Sequence, residues 1–163
     1  MTVSTCDLSD KHGEHARIPA PVFHNFGARR AFHGRAVTVK CFEDNSRVKE
    51  VLATPGNGRV LVVDGGGSTR CALLGDMIAK DAVANGWSGI VVFGCVRDTA
   101  VLEGLDIGIK ALGTNPRRST RRGEGTLHIP VDFAGIQVKE DDIVAADCDG
   151  IVVIAAKHAT EIG

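Results

Sequence analysis

Tyrosine is absent from this chain of 163 residues, and aromatic side chains make up only 4% of it. A core so short of rings must be filled by Val, Ile, Leu and Ala, and a hydrophobic content of 44% supplies them. Long apolar runs are missing as well. None approaches the roughly 20 residues that span a bilayer. The first 15 residues carry acids and histidines where a signal peptide would need an apolar stretch. Excess charge of either sign is missing too: 19 Lys and Arg stand against 20 Asp and Glu, a net charge of -1. That balance gives no general pull toward nucleic acid or a membrane surface. There is no C-x-x-C pair. The five cysteines, Cys6, Cys41, Cys71, Cys95 and Cys148, are odd in number and widely spaced. They exclude a paired disulfide frame and a zinc site, and point to free thiols in a reducing compartment, the cytoplasm. Repeats, low-complexity segments and linkers are also lacking. The length suits one domain, residues 1–163, which buries roughly two thirds of its unfolded surface and needs no staples.

Glycine, by contrast, is plentiful at 20 residues, which predicts tight turns and close backbone approaches. Residues 1–34 are mixed, with Pro19 and Pro21 breaking any long helix. RAVTVKCF (35–42) alternates as a strand does, and NSRVKEVLA (45–53) reads as a short helix capped by Asn45 or Ser46. RVLVVDG (59–65) and SGIVVFGCV (88–96) are continuous apolar runs, the pattern of strands buried on both faces. Between them, GGGSTRCALLGD is a glycine-rich link with a short apolar patch. DMIAKDAVANG (76–86) then sets Met77, Ile78, Ala82 and Val83 on one helical stripe and stops at Gly86. ALGTNP (111–116) ends in a loop, and NPRRSTRRGEG (115–125) is a basic loop. LHIPVDFAGIQVKEDD (127–142) predicts two strands around Ala134-Gly135, and DIVAADCDGIVVI (142–154) a hairpin turning at Asp149-Gly150. The tail AAKHATEIG predicts a short helix. Strands interleaved with helices in the middle and hairpins toward the end predict a layered α/β domain with a mixed sheet.

The chemistry concentrates in GDMIAKDAVANGWSGIVVFGCVRD (75–98). A parallel strand–helix–strand unit gathers strand ends and helix N-termini on one edge, so Arg97 and Asp98 should emerge beside Gly75 and Asp76. The first turn of the helix offers unsatisfied N–H groups and the positive end of its dipole, a ready site for a carboxylate. Asp98 is an oxygen ligand for a hard cation such as Mg²⁺ or Mn²⁺. Arg97 offers a planar fork to a carboxylate or an enolate oxygen. A small 2-oxo acid would fill such a site: carboxylate to the amides, keto oxygen to the metal, and Arg97 stabilising negative charge as a bond breaks.

Asp76, 20 intervening residues and then Arg97-Asp98, with VLVVDGGGS, ALLGDMIA, GIVVFGCVRD, LDIGIKALGTNPR and DGIVVI in order around them, resemble the RraA-like family. That family joins regulators of ribonuclease E activity and class II 4-hydroxy-4-methyl-2-oxoglutarate aldolases. The resemblance runs through most of the chain. It implies a compact layered swivelling β/β/α-type domain that assembles as a homotrimer, with sites near subunit boundaries. It implies that Gly75, Asp76, Met77 and Ile78 line the pyruvyl end of the substrate through their backbone, that Arg97 binds substrate, and that Asp98 binds the divalent metal directly while Asp76 reaches its waters. The activity implied is aldol cleavage, or decarboxylation of oxaloacetate, through a metal-stabilised pyruvate enolate. The alternative implied is a non-catalytic regulator that binds ribonuclease E or its degradosome partners. The chain departs from the family in two places. Val101 stands where an acid is frequent, and the chain ends at Gly163 without the C-terminal segment that longer aldolases lend to a neighbour's metal waters. Retro-aldol cleavage needs a base for the C4 hydroxyl proton, so decarboxylation is expected to be the more robust activity. Menaquinone methylation, a name also met in the family, finds no methyl-donor glycine motif here.

Plainer readings compete with these. Arg97-Asp98 can be a surface ion pair and Asp76 a helix cap. GGGS (65–68) lacks both G-K-[ST] and the third glycine of G-x-G-x-x-G, whose place Arg70 takes, so it is expected to be a close-packed turn. HGEH (12–15) has two histidines but no third ligand nearby, and is expected to be solvated. Arg117, Arg118, Arg121 and Arg122 lack interleaved aromatics, so direct nucleic-acid binding is not expected of them and a solvated or subunit-contacting loop is.

Overall fold

A computed structural model describes residues 3–159 of the chain. In chain order the elements are α1 (Thr5–His12), β1 (His24–Asn25), β2 (Phe32–Lys40), α2 (Ser46–Leu52), β3 (Val60–Asp64), β4 (Ala72–Leu74), α3 (Asp76–Ala84), β5 (Gly89–Val96), α4 (Thr99–Leu102), β6 (Gly108–Thr114), β7 (Thr126–Leu127), β8 (Val131–Phe133), β9 (Ile136–Val138), β10 (Ile143–Asp147) and β11 (Gly150–Ile154).

The strand order is β1-β6-β5-β3-β2-β10-β11, with β4 alongside β5 and β7 alongside β2. β2, β3, β5 and β6 run parallel, while β1, β7, β10 and β11 pair antiparallel at the margins. β3 lies at the centre because every residue from Val60 to Asp64 is buried, which a two-faced Val/Leu run satisfies and an alternating one would not. One face of the sheet carries α2 and α3, packing Val48, Leu52, Ile78 and Ala82 on Leu61, Val63, Ile90 and Val92. The other face carries the β8–β9 hairpin, with Val131, Phe133 and Val138 against Val60, Val62 and Val91. Each such side chain contributes about 1.5–3 kcal/mol by leaving water. The result is the expected layered arrangement, a curled mixed sheet between helices and a second β layer.

α3 ends as its sequence predicts. Gly86 sits at φ 78; its amide donates to the Val83 carbonyl at 3.2 Å, and the Trp87 amide to the Ala82 carbonyl at 3.1 Å. That is the paired Schellman closure. Trp87 then plugs the core, 2% exposed, with Nε1 donating to the Thr54 carbonyl at 2.9 Å. The Ala134-Gly135 turn is also as expected, both residues at positive φ (50 and 87), the form a two-residue hairpin requires.

Several local expectations are corrected. The mixed N-terminal segment contains α1, capped by the Ser4 side chain accepting from the Asp7 amide; its one buried apolar side chain is Leu8, too little for an apolar stripe. The first long strand starts at Phe32 rather than Arg35, because Phe32 to Arg35 pair with β10. β4 and the one-turn α4 are too short to carry periodicity. β6 begins at Gly108, earlier than the loop-bound reading of 111–116 allowed. The C-terminal hairpin turns at Cys148-Asp149, with Gly150 already paired to Asp147. Of the expected tail helix, Ala156–His158 form a single 3-10 turn, and the remainder, 160–163, lies outside the described residues. No described helix is long and apolar enough to cross a membrane.

Candidate functional site

The site grows from the unit β4–α3–β5. β4 and β5 run side by side, Leu74 opposite Val96, so both leave the sheet at the same edge. The Arg97 amide donates to the Leu74 carbonyl at 2.9 Å, which holds the two exits together. Asp98 follows at φ 57, a left-handed conformation that aspartate tolerates better than most residues. There its carboxylate meets the start of α3, and Oδ2 accepts a hydrogen bond from the Asp76 amide at 3.0 Å.

α3 has no side-chain cap of its own, since Gly75 occupies the N-cap position. Asp98 caps it from the end of the next strand instead, and the plainer reading of Asp76 as the cap is thereby corrected. The Asp76 carboxylate lies 3.7 Å from Lys80 Nζ, one turn along the helix. Gly75 is needed for space rather than conformation: its φ of -129 is open to any residue, but a Cβ there would lie 2.8 Å from Asp98 Oδ2 and 3.3 Å from Arg97 Nε. The anion that approaches this backbone closely is Asp98 itself. The Ala79 amide makes the first turn's bond, to the Gly75 carbonyl. The N–H groups of Met77 and Ile78 have no protein acceptor among the described residues, so two donors at the positive end of the helix remain available.

Arg97 Nε stands 3.9 Å from Asp98 Oδ2, beyond hydrogen-bond range, and Nη1 donates weakly to the Pro116 carbonyl at 3.4 Å. Gly75, Asp76, Met77, Ile78, Arg97 and Asp98 all line one narrow pocket of about 60 Å³, together with Asn45, Ala72, Arg118, Ser119 and Arg121. Met77, Arg97, Arg118, Ser119 and Arg121 also line an adjoining cleft of about 600 Å³, joined there by Thr120. The expected juxtaposition is therefore present, and four polar residues of the pocket, Asn45, Arg118, Ser119 and Arg121, belong with it.

Those four were not found in the sequence. The basic loop folds back over the site instead of standing free. The Arg122 amide donates to Asp44 Oδ2 at 2.6 Å, the Asn45 amide to Ser119 Oγ at 3.1 Å and the Ala72 amide to the Arg117 carbonyl at 2.7 Å. Arg121 Nε donates to Asn45 Oδ1 at 3.1 Å, and Asn45 Nδ2 to the Leu73 carbonyl at 3.2 Å. Burial by itself would raise the Asp44 carboxyl, but hydrogen bonds from Ser46, Arg122 and Glu124 outweigh it and hold the group below the ordinary range. The available signal was positional. The loop follows a parallel strand, β6, and so had to emerge at the same sheet edge as Arg97.

The glycine-rich link is the close-packed turn expected. A Cβ on Gly65 would lie 2.6 Å from Leu73 and 2.7 Å from the Phe93 carbonyl oxygen. Glu43 ties the link down, accepting from Ser68 Oγ at 2.5 Å and Arg70 Nε at 2.6 Å; the Arg70 guanidinium, with the Ser68 hydroxyl, keeps the Glu43 carboxyl low. The HGEH segment is largely solvated as expected, with Gly13, Glu14 and His15 exposed, and His15 stacks on His158 at 4.0 Å.

Among the described residues no group of three or more His, Cys, Asp or Glu is placed to hold a metal ion. A site needing several protein side chains is thus not present among the described residues. Mg²⁺ or Mn²⁺ takes one or two carboxylates and completes its shell with water and substrate oxygens. Asp98, with one oxygen on the Asp76 amide and its side chain 37% exposed toward the cleft, fits that lighter demand, and Asp76 stands beside it.

Known proteins share this family and fold. A family model described as RraA-like, Aldolase/RraA, matches residues 5–153. A protein of Alkalilimnicola ehrlichii bearing the provisional name 4-hydroxy-4-methyl-2-oxoglutarate aldolase is 54% identical over 153 residues, 94% of this chain and 95% of that one. A similarly named protein of Xanthomonas campestris is 49% identical over 99% of this chain and 97% of its own. Among solved structures, the RNA-processing inhibitor RraA of Thermus thermophilis superposes with a TM-score of 0.92 at 42% identity, covering 95% of this chain and 94% of that one. A Geobacillus kaustophilus protein named as an S-adenosylmethionine:2-dimethylmenaquinone methyltransferase also gives 0.92, at 40% identity over 94% of this chain and 95% of its own.

Proposed function

We propose, from the premise that the chain belongs to the RraA-like family, that it is an aldolase-type carbon–carbon lyase acting on substrates with a pyruvyl end and working with a divalent cation. The relatives named as aldolases at about half identity support the lyase reading. The observation that carries the finer reading is the convergence, in one pocket, of the Asp98 carboxylate, the Arg97 guanidinium and the two unpartnered amides of Met77 and Ile78.

In this reading the substrate carboxylate takes the amides of Met77 and Ile78, where the α3 dipole favours negative charge. Breaking the bond beyond C3 leaves its electron pair on the pyruvyl half, so negative charge grows on the former keto oxygen. Arg97 stabilises that charge, and its fork is rigid enough to do so without reorganisation. Mg²⁺ or Mn²⁺ held by Asp98, with Asp76 reaching its waters, would supply Lewis-acid polarisation of the same oxygen. Among the described residues, Asp76 and Asp98 are the carboxylates that line the pocket. Decarboxylation of oxaloacetate releases CO₂ without a base, whereas aldol cleavage must also remove a hydroxyl proton. Oxaloacetate decarboxylation is therefore the less demanding activity, and 4-hydroxy-4-methyl-2-oxoglutarate cleavage the one to which the relatives' names point. Met77, at 76% exposure, leaves apolar surface at the mouth of the cleft, surface that a homotrimeric assembly would cover.

Pyruvate release from oxaloacetate tests the proposal, measured with Mg²⁺, with chelator, and in Asp98→Asn and Arg97→Ala. Loss of a transition-state contact of this kind costs about 10²–10³ in rate. Absence of metal-dependent turnover, or full rates in both folded variants, would sink the lyase reading. The likeness to an RNA-processing inhibitor supports a second reading, a regulator docking on ribonuclease E. A pull-down against that nuclease that persists unchanged in the site-dead variants would show binding independent of the pocket.

A further inference from the structure

We propose that Arg118 and Arg121 form a second carboxylate subsite, which selects 2-oxo acids carrying another carboxylate beyond the bond that breaks; the inference rests on the lyase reading and deepens it. The inner pocket holds all the acidic groups of the site. The adjoining cleft of about 600 Å³ is lined by Met77, Arg97, Arg118, Ser119, Thr120 and Arg121, three guanidiniums and no carboxylate.

Four arginines elsewhere in the fold are matched with acids. Arg17 pairs with Asp142, Arg29 with Asp106, Arg47 with Glu50 and Arg70 with Glu43. In the cleft Arg118 and Arg121 are not. The Arg118 side chain makes no hydrogen bond or ion pair to any described residue, and Arg121 gives only Nε, to the neutral Asn45 Oδ1 at 3.1 Å, leaving its terminal nitrogens free. The loop that carries them is nonetheless fixed, through Arg117 to β4 and through Ser119 and Arg122 to Asn45 and Asp44. Preorganised guanidiniums without a protein partner match a carboxylate bidentately, and positional rigidity spares the cost of ordering them on binding. Arg97, Arg118 and Arg121 all line both spaces, so a substrate with its pyruvyl carboxylate on the amides of Met77 and Ile78 would extend its far end along Arg118 and Arg121 into the cleft. Met77, at the mouth, offers apolar contact to the carbons between.

The test compares two non-reacting ligands of equal chain length, 2-oxoglutarate and 2-oxopentanoate, by titration calorimetry on the wild-type protein with Mg²⁺ present. The first has a terminal carboxylate and the second a methyl group. Wild type should bind 2-oxoglutarate at least 30-fold tighter. Arg118→Gln should reduce that ratio several-fold and Arg118→Gln/Arg121→Gln to under threefold, with 2-oxopentanoate affinity unchanged within twofold. Arg118→Gln touches no protein partner and so serves as the control for folding. Equal affinity of wild type for the two ligands, no binding of either, or a ratio that survives the double substitution would overturn the subsite. Binding is read without turnover, so failure of the lyase reading would show separately, as discrimination between ligands in a protein that releases no pyruvate.

Discussion

Replacing Gly75 with alanine is the smallest perturbation that reaches the centre of the site. The backbone there is extended, at φ -129 and ψ -169, so alanine suffers no conformational strain and slightly lowers the entropy of the unfolded chain. The whole effect is local crowding. The new Cβ would stand 2.8 Å from Asp98 Oδ2, against the 3.4 Å where ordinary contact begins. Asp98 must retreat by about 0.6 Å, enough to stretch its 3.0 Å bond from the Asp76 amide to the limit of hydrogen bonding. A bond to a charged acceptor is worth about 1.5–3 kcal/mol, and partial exposure of Asp98 reduces that to about 1 kcal/mol. For a domain of this size the melting temperature should fall by about 2–4 °C. Activity should suffer more, since misplacing a group that orients a metal costs about 10–100-fold. Gly113→Ala is the matched control, because nothing lies within 4 Å of a Cβ there. The assay is thermal unfolding beside kcat/KM for pyruvate release. Gly75→Ala with wild-type kcat/KM would refute the claim that Asp98 is held at this amide for function.

Two other outcomes follow from the chemistry of the fold. Cys41 is buried, and burial is the main force pushing its thiol up to about 12; Cys71 and Cys95 are also buried and raised. A thiol reagent at pH 8 should therefore titrate only Cys6 and Cys148 in the native protein, with Cys6 slowed by the Asp149 carboxylate that raises its thiol; rapid modification of all five would contradict the buried placement. The Asp44 carboxyl is held low in the folded state, so its stabilisation is complete above an unfolded value of about 4 and fades as pH falls through the lower native value. Asp44→Asn should lower the melting temperature at pH 7, and the difference from wild type should shrink as pH falls below about 4; a difference that persists undiminished in acid would contradict that assignment.

The parts of the fold legible in the sequence are those specified locally. RVLVVDG and SGIVVFGCV announced β3 and β5 because strands buried on both faces leave no polar alternation. Gly86 marked the end of α3 because only a left-handed residue closes that turn without strain. The meeting of Asp98 with the start of α3 followed from the edge rule for parallel units. What stayed hidden depends on distant partners. β6 contains Lys110, which reads as exposed yet is 3% exposed, its ammonium donating to the Asp147 carbonyl across the curled sheet at 2.6 Å. With β6 unrecognised, the loop after it lost its place, and Arg118 and Arg121 read as solvent-facing charge. Asn45 read as a helix cap; its burial between Leu73 and Arg121 joins residues 28 and 76 positions away.

The measurement that bears most directly on the account is a crystal structure of the protein soaked with Mn²⁺ and oxalate, the planar mimic of a pyruvate enolate. The expected result is anomalous density for the cation at Asp98, one oxalate carboxylate on the amides of Met77 and Ile78, and Arg97 within hydrogen-bond distance of the ligand. A cation bound away from Asp98, or oxalate lodged elsewhere while those amides face only solvent, would contradict it.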